Sequence, residues 1–195
     1  MKTVLLLLAN GFETYEASVF IDVIGWNLID GDKTTRLVTC GNTKEVKTSF
    51  GQKVIVDYLT TEIDCNDYDA LAIPGGFEEF NFYDDAYSFN FKKIINEFNN
   101  ANKVIASICV AALALGNAGV LQGRYGTTYS KESSIRIKQL ENFGVIIKNQ
   151  AIVIDDNIIT SWNPATALDV AFLLLEKLTS KKQKEYIMNI MGIIL

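Results

Sequence analysis

Three short segments of this 195-residue chain carry residue types that could do chemistry: Asn10-Gly11-Phe12-Glu13 with Glu16 after it, Pro74-Gly75-Gly76, and Cys109. Cys109 closes the apolar run Ile105-Ala106-Ser107-Ile108, and a helical pattern begins directly after it at Val110-Ala111-Ala112. A strand that turns abruptly into a helix presents its turn residue on a sharp elbow. The backbone N–H groups of the helix start, that of Val110 first, then surround the side chain. The positive end of the helix favours thiolate, so the elbow predicts a Cys109 pKa below the ordinary thiol value. A cysteine among apolar neighbours also reads as a small buried hydrophobe, and the pattern by itself leaves both readings open.

Gly75 and Gly76 carry no side chains to keep a ligand away from the backbone. Their N–H groups, with that of Val110, fit an oxyanion hole for charge building on a substrate oxygen. They fit an ordinary turn leaving a strand equally well. Glu13 and Glu16 lie about one helical turn apart near the start of the first helical pattern, and first-turn carboxylates complement the helix dipole without any catalytic role. That suffices for Glu13. Glu16 is set among Tyr15, Ala17, Val19 and Phe20, which suggest a largely buried helix. A buried carboxyl tends to be neutral near pH 7 and can then donate a hydrogen bond to a thiolate.

The composition narrows the chemistry. The chain has no histidine, which excludes Ser-His-Asp and Cys-His arrangements within one copy, along with imidazole metal ligands and switches. A net charge of −5 argues against nucleic acid or an acidic membrane as partner, since both need a basic footprint. The basic run Lys181, Lys182, Lys184 beside Glu185 reads as a solvated helix start. Three cysteines, Cys40, Cys65 and Cys109, with no CxxC pair, suit neither a disulfide framework nor a zinc site, so a reducing cytoplasm and no metal are expected. Cys40 and Cys65 read as structural, Cys65 on an exposed loop. The run Val4 to Ala9 is too short for a signal peptide, and no apolar stretch reaches the roughly 18 to 20 residues that span a bilayer.

The elements that must position these residues follow from periodicity. With 49% hydrophobic residues the chain can build a substantial core. Apolar runs at Val4 to Ala9, Thr35 to Cys40, Ala70 to Ile73 and Val104 to Ile108 alternate with helical patterns, which points to βαβ units and a parallel sheet. Val19, Phe20, Val23, Ile24 and Leu28 mark the first helix, stopped at Asp30-Gly31-Asp32. Residues 46 to 58 read as a short hairpin, 86 to 98 as a helix, Tyr125 to Tyr129 as a short strand and 133 to 142 as a helix. Asp155-Asp156-Asn157 turns a second hairpin between Ile152–Ile154 and Ile158–Ser161, and a helix spans about 165 to 178. The expected organisation is one domain over 1–195, α/β and three-layered, flavodoxin-like with a mostly parallel sheet. Residues 181–195 form a C-terminal helical tail that packs on its own domain or on a twin subunit. In such sheets ligands bind beyond the carboxyl ends of the strands, the edge that all three chemical segments share.

Together these segments resemble the ThiJ/PfpI family, within the class I glutamine amidotransferase-like superfamily, from Val4 to about Leu178. Gly11-Phe12-Glu13-Thr14-Tyr15-Glu16-Ala17 resembles the family's acidic turn, with Glu16 where the family keeps its cysteine-contacting glutamate. Ala72-Ile73-Pro74-Gly75-Gly76 resembles its Pro-Gly-Gly loop, Ser107-Ile108-Cys109 its cysteine elbow, and Ile158 to Ala167 the segment leading into its last helix. The departures are equally specific. Tyr129, in Gly126-Thr127-Thr128-Tyr129-Ser130, stands where family members often have a histidine; Val110-Ala111-Ala112 replaces Ala-Gly-Pro; and Asn163-Pro164-Ala165 replaces Gly-Pro-Gly.

The resemblance implies a cofactor-independent enzyme with Cys109 as nucleophile on small reactive carbonyls, glyoxalase III-like or deglycase-like and stress-protective. Glu16 would orient the thiol and shuttle protons, with Gly75, Gly76 and Val110 holding the oxygen. Glu13, Tyr129 and Trp162 are candidate substrate contacts, although an aromatic at a strand end also serves packing; Phe77, Phe80, Phe82 and Tyr83 line a pocket or merely pack. A redox-sensing or chaperone-like protein using Cys109 oxidation without turnover is the alternative. The missing histidine disfavours an intracellular peptidase or amidase and excludes an active glutaminase. The resemblance also implies a homodimer, to which the apolar tail Ile187 to Leu195 could contribute.

Overall fold

The computed structural model describes residues 1–131 and 134–193. In chain order its elements are β1 (Lys2–Leu8), α1 (Thr14–Ile29), β2 (Thr35–Gly41), β3 (Glu45–Lys47), β4 (Lys53–Ile55), β5 (Tyr58–Leu59), β6 (Ala70–Ile73), α2 (Phe82–Ala86), α3 (Phe89–Asn100), β7 (Val104–Ser107), α4 (Ala111–Asn117), β8 (Tyr125–Gly126), α5 (Arg136–Asn142), β9 (Ile146–Ile147), β10 (Ile152–Asp155), β11 (Ile158–Ser161), α6 (Ala167–Leu178) and α7 (Lys181–Ile190). Seven strands form one sheet in the order β10-β11-β7-β6-β1-β2-β5. All neighbours are parallel except β10 and β11, which form the antiparallel hairpin at one edge.

The parallel centre explains the composition of its strands. Val4 to Leu8 of β1 and all of β6 are buried, as strands covered on both faces must be. Helices α1, α6 and α7 pack together on one side, and α3 packs with α4 and against β6 and β7 on the other. The result is the expected three-layer α/β sandwich with a mostly parallel sheet.

Several local expectations change. The hairpin read over 46–58 is β3 and β4, paired outside the main sheet; the chain then returns to add β5 at the sheet edge. The helix read over 86–98 is α3, which starts at Phe89 where Ser88 caps it by accepting from the Phe91 amide; the separate short α2 precedes it. The strand read over Tyr125–Tyr129 stops at Gly126, because the Thr127 amide goes to the side chain of Thr160 rather than to a neighbouring strand. Tyr129 therefore sits in a loop. Cys65 is buried, not exposed: its short 3-10 turn tucks against α3, and Lys103 holds its carbonyl at 2.6 Å.

The helix read over 133–142 begins at Arg136, with Ser133 outside the described residues. The tail helix packs on its own chain. Ile187 is fully buried, Met188, Ile190 and Met191 pack on the core, and Gln183 Nε2 donates to Asn27 Oδ1 of α1 at 2.6 Å. Ile194 and Leu195, also read as part of that apolar face, lie outside the described residues. Among the described residues no helix is long and apolar enough to cross a membrane.

Candidate active site

The parallel register brings the carboxyl ends of β1, β6 and β7 to one edge, and the loops there are stitched together by backbone. Glu13 N–H donates to Gly75 O at 2.8 Å, Phe77 N–H to Gly11 O at 3.0 Å, and Ile108 N–H to Ile73 O at 3.2 Å. Gly76 lies so close to the Gly11 carbonyl and the Phe82 ring that a Cβ there would collide with both. The glycine pair thus lets two loops touch through backbone.

Cys109 sits between β7 and α4 with φ at 57°, in the left-handed region that a residue bearing a Cβ rarely adopts. Such strain is characteristic of a nucleophile elbow and is held only by an over-determined surrounding. Here the Thr128 hydroxyl donates to the Cys109 carbonyl at 2.9 Å, and Ala111 N–H closes the turn onto Ile108 O at 3.0 Å. The Val110 N–H lies next to the sulfur and favours its charged form. The thiol lies beside the carboxyl of Glu16, which is fully buried in the first turn of α1.

The electrostatics of this pair correct one expectation. Cys109 is held well above the ordinary thiol value, by burial first and by the neighbouring Glu16 carboxyl next; the Val110 N–H opposes both without overcoming them. A seven-residue helix gives too small a field to outweigh desolvation of a buried thiolate. Glu16 behaves as expected. Burial and the charge of Glu13 push it up to about 8, so it is protonated at neutral pH. Glu13, half-buried beside it, is raised as well, by burial. The resting pair is a neutral thiol beside a neutral acid.

Gly75 also departs from its expected role. Its N–H donates to Glu16 Oε2 at 2.6 Å, so this donor is engaged by the protein rather than left for a substrate oxygen. Glu16 Oε1 is buried and has no hydrogen-bond partner among the described residues. The sulfur opens into a pocket of about 340 Å³, lined in part by Glu13, Gly76, Val110 and Tyr129. Trp162 does not line it; Pro164, two residues on, does, together with Phe77 and Arg136. Among the described residues no cluster of acids and cysteines is arranged to hold a metal ion.

Comparison with known proteins decides the relationship. A model of the DJ-1/PfpI family matches residues 2–177. The chain belongs to the DJ-1/PfpI family. The structure of Drosophila melanogaster DJ-1beta superposes with a TM-score of 0.84 at 25% identity, covering 100% of this chain and 99% of that one. Oxidized Toxoplasma gondii DJ-1 does so with a TM-score of 0.81 at 25% identity, covering 98% of each. DJ-1 homolog B of Arabidopsis thaliana is 28% identical over 183 residues, 93% of this chain but only 39% of the relative. The chain spans about half or less of several curated relatives it matches, including 46% of Arabidopsis DJ-1 homolog A and 54% of an uncharacterized Methanocaldococcus jannaschii protein.

Within the DJ-1/PfpI fold of this chain, sequence reasoning missed three pocket residues, Glu78, Glu79 and Arg136, the last of them the one cation among the described lining residues. Its guanidinium lies over the Tyr83 ring, 5.2 Å from the centroid, and pairs with Glu78 at 2.7 Å. Nothing local marks it. Arg136 opens a polar helix 27 residues beyond the cysteine, and only the tertiary fold lays that helix across the pocket.

Proposed function

We propose that this DJ-1/PfpI family protein is a cysteine-dependent, cofactor-independent enzyme acting in the cytoplasm on small reactive carbonyls, glyoxalase III-like or deglycase-like. The observation that carries this reading is the strained Cys109 elbow, which lines a pocket and has the buried, proton-bearing Glu16 behind it. The Cys109 sulfur adds to an aldehyde carbon, the C=O π bond opens, and the thiol proton passes through Glu16 to the carbonyl oxygen, giving a hemithioacetal. The Val110 N–H, with that of Gly76, would steady the developing oxyanion. With methylglyoxal, Glu16 in its carboxylate form takes the proton from the former aldehyde carbon and returns it to the neighbouring carbon, while the hemithioacetal hydroxyl proton passes to the neighbouring ketone oxygen, so that C=O forms at the first carbon and C–OH at the second. The resulting thioester is hydrolysed by water to lactate and free thiol. A carboxyl whose pKa lies near the working pH suits both directions of that transfer. Lactate forms with the wild type and not with Cys109→Ser; equal rates from the two end the proposal.

A second reading rests on the proton of Glu16. After oxidation of Cys109 by peroxide to sulfinic acid, that proton would be donated to a sulfinate oxygen and stabilise it. A plus-two-oxygen species confined to Cys109 by intact mass, without carbonyl turnover, favours this sensor over the enzyme. Both readings take the protein as a homodimer. The described apolar residues of α7 pack on their own chain, which supports an interface elsewhere; a monomeric mass in light scattering removes the dimer.

A further inference from the structure

We infer that Arg136 is a specificity-determining residue that reads a carboxylate on the substrate, so that the pocket selects small aldehydes bearing a carboxylate over neutral dicarbonyls of the same size. The inference names the substrate class of the site proposed above and rests on that reading only for the chemistry, not for the binding.

Arg136 is the one cation lining the pocket of Cys109 among the described residues. It is held in advance of any ligand. Its side chain is 17% exposed, its guanidinium covers the Tyr83 ring, and Nη1 donates to Gln139 Oε1 at 2.9 Å. A planar fork fixed in this way recognises a carboxylate with little loss of side-chain freedom. A carboxylate already occupies the fork: Glu78 accepts from Nη2 at 2.7 Å. Glu78 is itself 62% exposed, on the short turn after the Gly pair. Its end of the pair is largely solvated and can return to water, so Glu78 is a placeholder that a ligand carboxylate can displace.

The other acids oppose this less than their number suggests. Glu16 is protonated at neutral pH, Glu79 is exposed to solvent, and burial holds Glu13 above the ordinary carboxyl value. Neutral methylglyoxal would leave the Arg136–Glu78 pair undisturbed and use only part of a 340 Å³ pocket.

Calorimetric titration of Cys109→Ala, which removes all thiol chemistry, with oxamate and with its neutral analogue oxamide tests the inference. Oxamate is expected to bind at least about tenfold tighter than oxamide, as one charge-assisted contact predicts. Adding Arg136→Gln should erase that preference, and adding Glu78→Gln should tighten oxamate binding severalfold by freeing the fork. Equal binding of the two probes overturns the inference, as does oxamate affinity unchanged by Arg136→Gln in a variant that still unfolds cooperatively. Absence of carbonyl turnover in the wild type, with the oxamate preference intact, would instead count against the proposed chemistry and leave this site standing.

Discussion

Gly75 and Glu16, 59 residues apart in sequence, are joined by a 2.6 Å hydrogen bond from the glycine amide to carboxyl Oε2. It fixes the acid against the cysteine and explains why no side chain is tolerated at Gly75. A Cβ there would stand 2.9 Å from Glu16 Oε2, 2.9 Å from Ile108 O and 3.0 Å from Cys109 Cβ. Gly75→Ala must therefore move both members of the pair. We expect a loss of about 1 to 3 kcal/mol in urea unfolding, together with loss of turnover. Wild-type stability and turnover in this variant would remove the close approach as a requirement.

The elbow strain is measurable. Left-handed backbone costs a residue with a Cβ about 1 to 2 kcal/mol, whereas glycine adopts it freely but gives up about 0.5 to 1 kcal/mol in unfolded-chain entropy. Cys109→Gly is thus expected to unfold at higher denaturant than Cys109→Ala, by about 0.5 to 1 kcal/mol. The reverse order would show that the 57° φ of Cys109 stores no strain.

Glu16 links stability to pH. Its pKa rises from an ordinary value of 4.5 to about 8 in the folded chain, so between those values the native state holds a proton that the unfolded state lacks. The stabilisation is complete below about pH 4.5 and lost as pH climbs through 8, with a slope of at most about 1.4 kcal/mol per pH unit. Urea midpoints of the wild type should fall over this window relative to Glu16→Gln. Parallel curves for the two proteins would place the carboxylate, not the acid, in the fold.

Thiol reactivity follows from the same burial. Because Cys109 is held above the ordinary thiol range, its alkylation by iodoacetamide at pH 7 should be slower than that of a free thiol and should climb steeply above pH 9. Glu16→Gln removes the neighbouring charge and should move the inflection to lower pH. Rapid alkylation at pH 6 in the wild type would restore a preformed thiolate.

The fold was largely legible in the sequence because β1, β6 and β7 are continuous apolar runs, and such runs have few alternatives to a sheet covered on both faces. The elbow was legible for the same reason, since the strand and helix periods meet at Cys109. The burial of Cys65 and the position of Tyr129 were not, because each depends on contacts made by distant segments. The direction of the Cys109 shift was misread because a helix start is visible in sequence, whereas the desolvation that outweighs it is a property of packing. Arg136 and the engagement of the Gly75 amide belong to the same class: both are partnerships across the fold.

The most direct test of the Cys109–Glu16 account is the pH dependence of kcat/KM for methylglyoxal in the wild type and in Glu16→Gln. The wild type should rise to a plateau above about pH 8, the value at which Glu16 gives up its proton. Glu16→Gln should lie lower by about 10² to 10⁴ and show no inflection there. Matching profiles, or a wild-type rate indifferent to pH across that range, would contradict a proton-transferring Glu16 beside the cysteine.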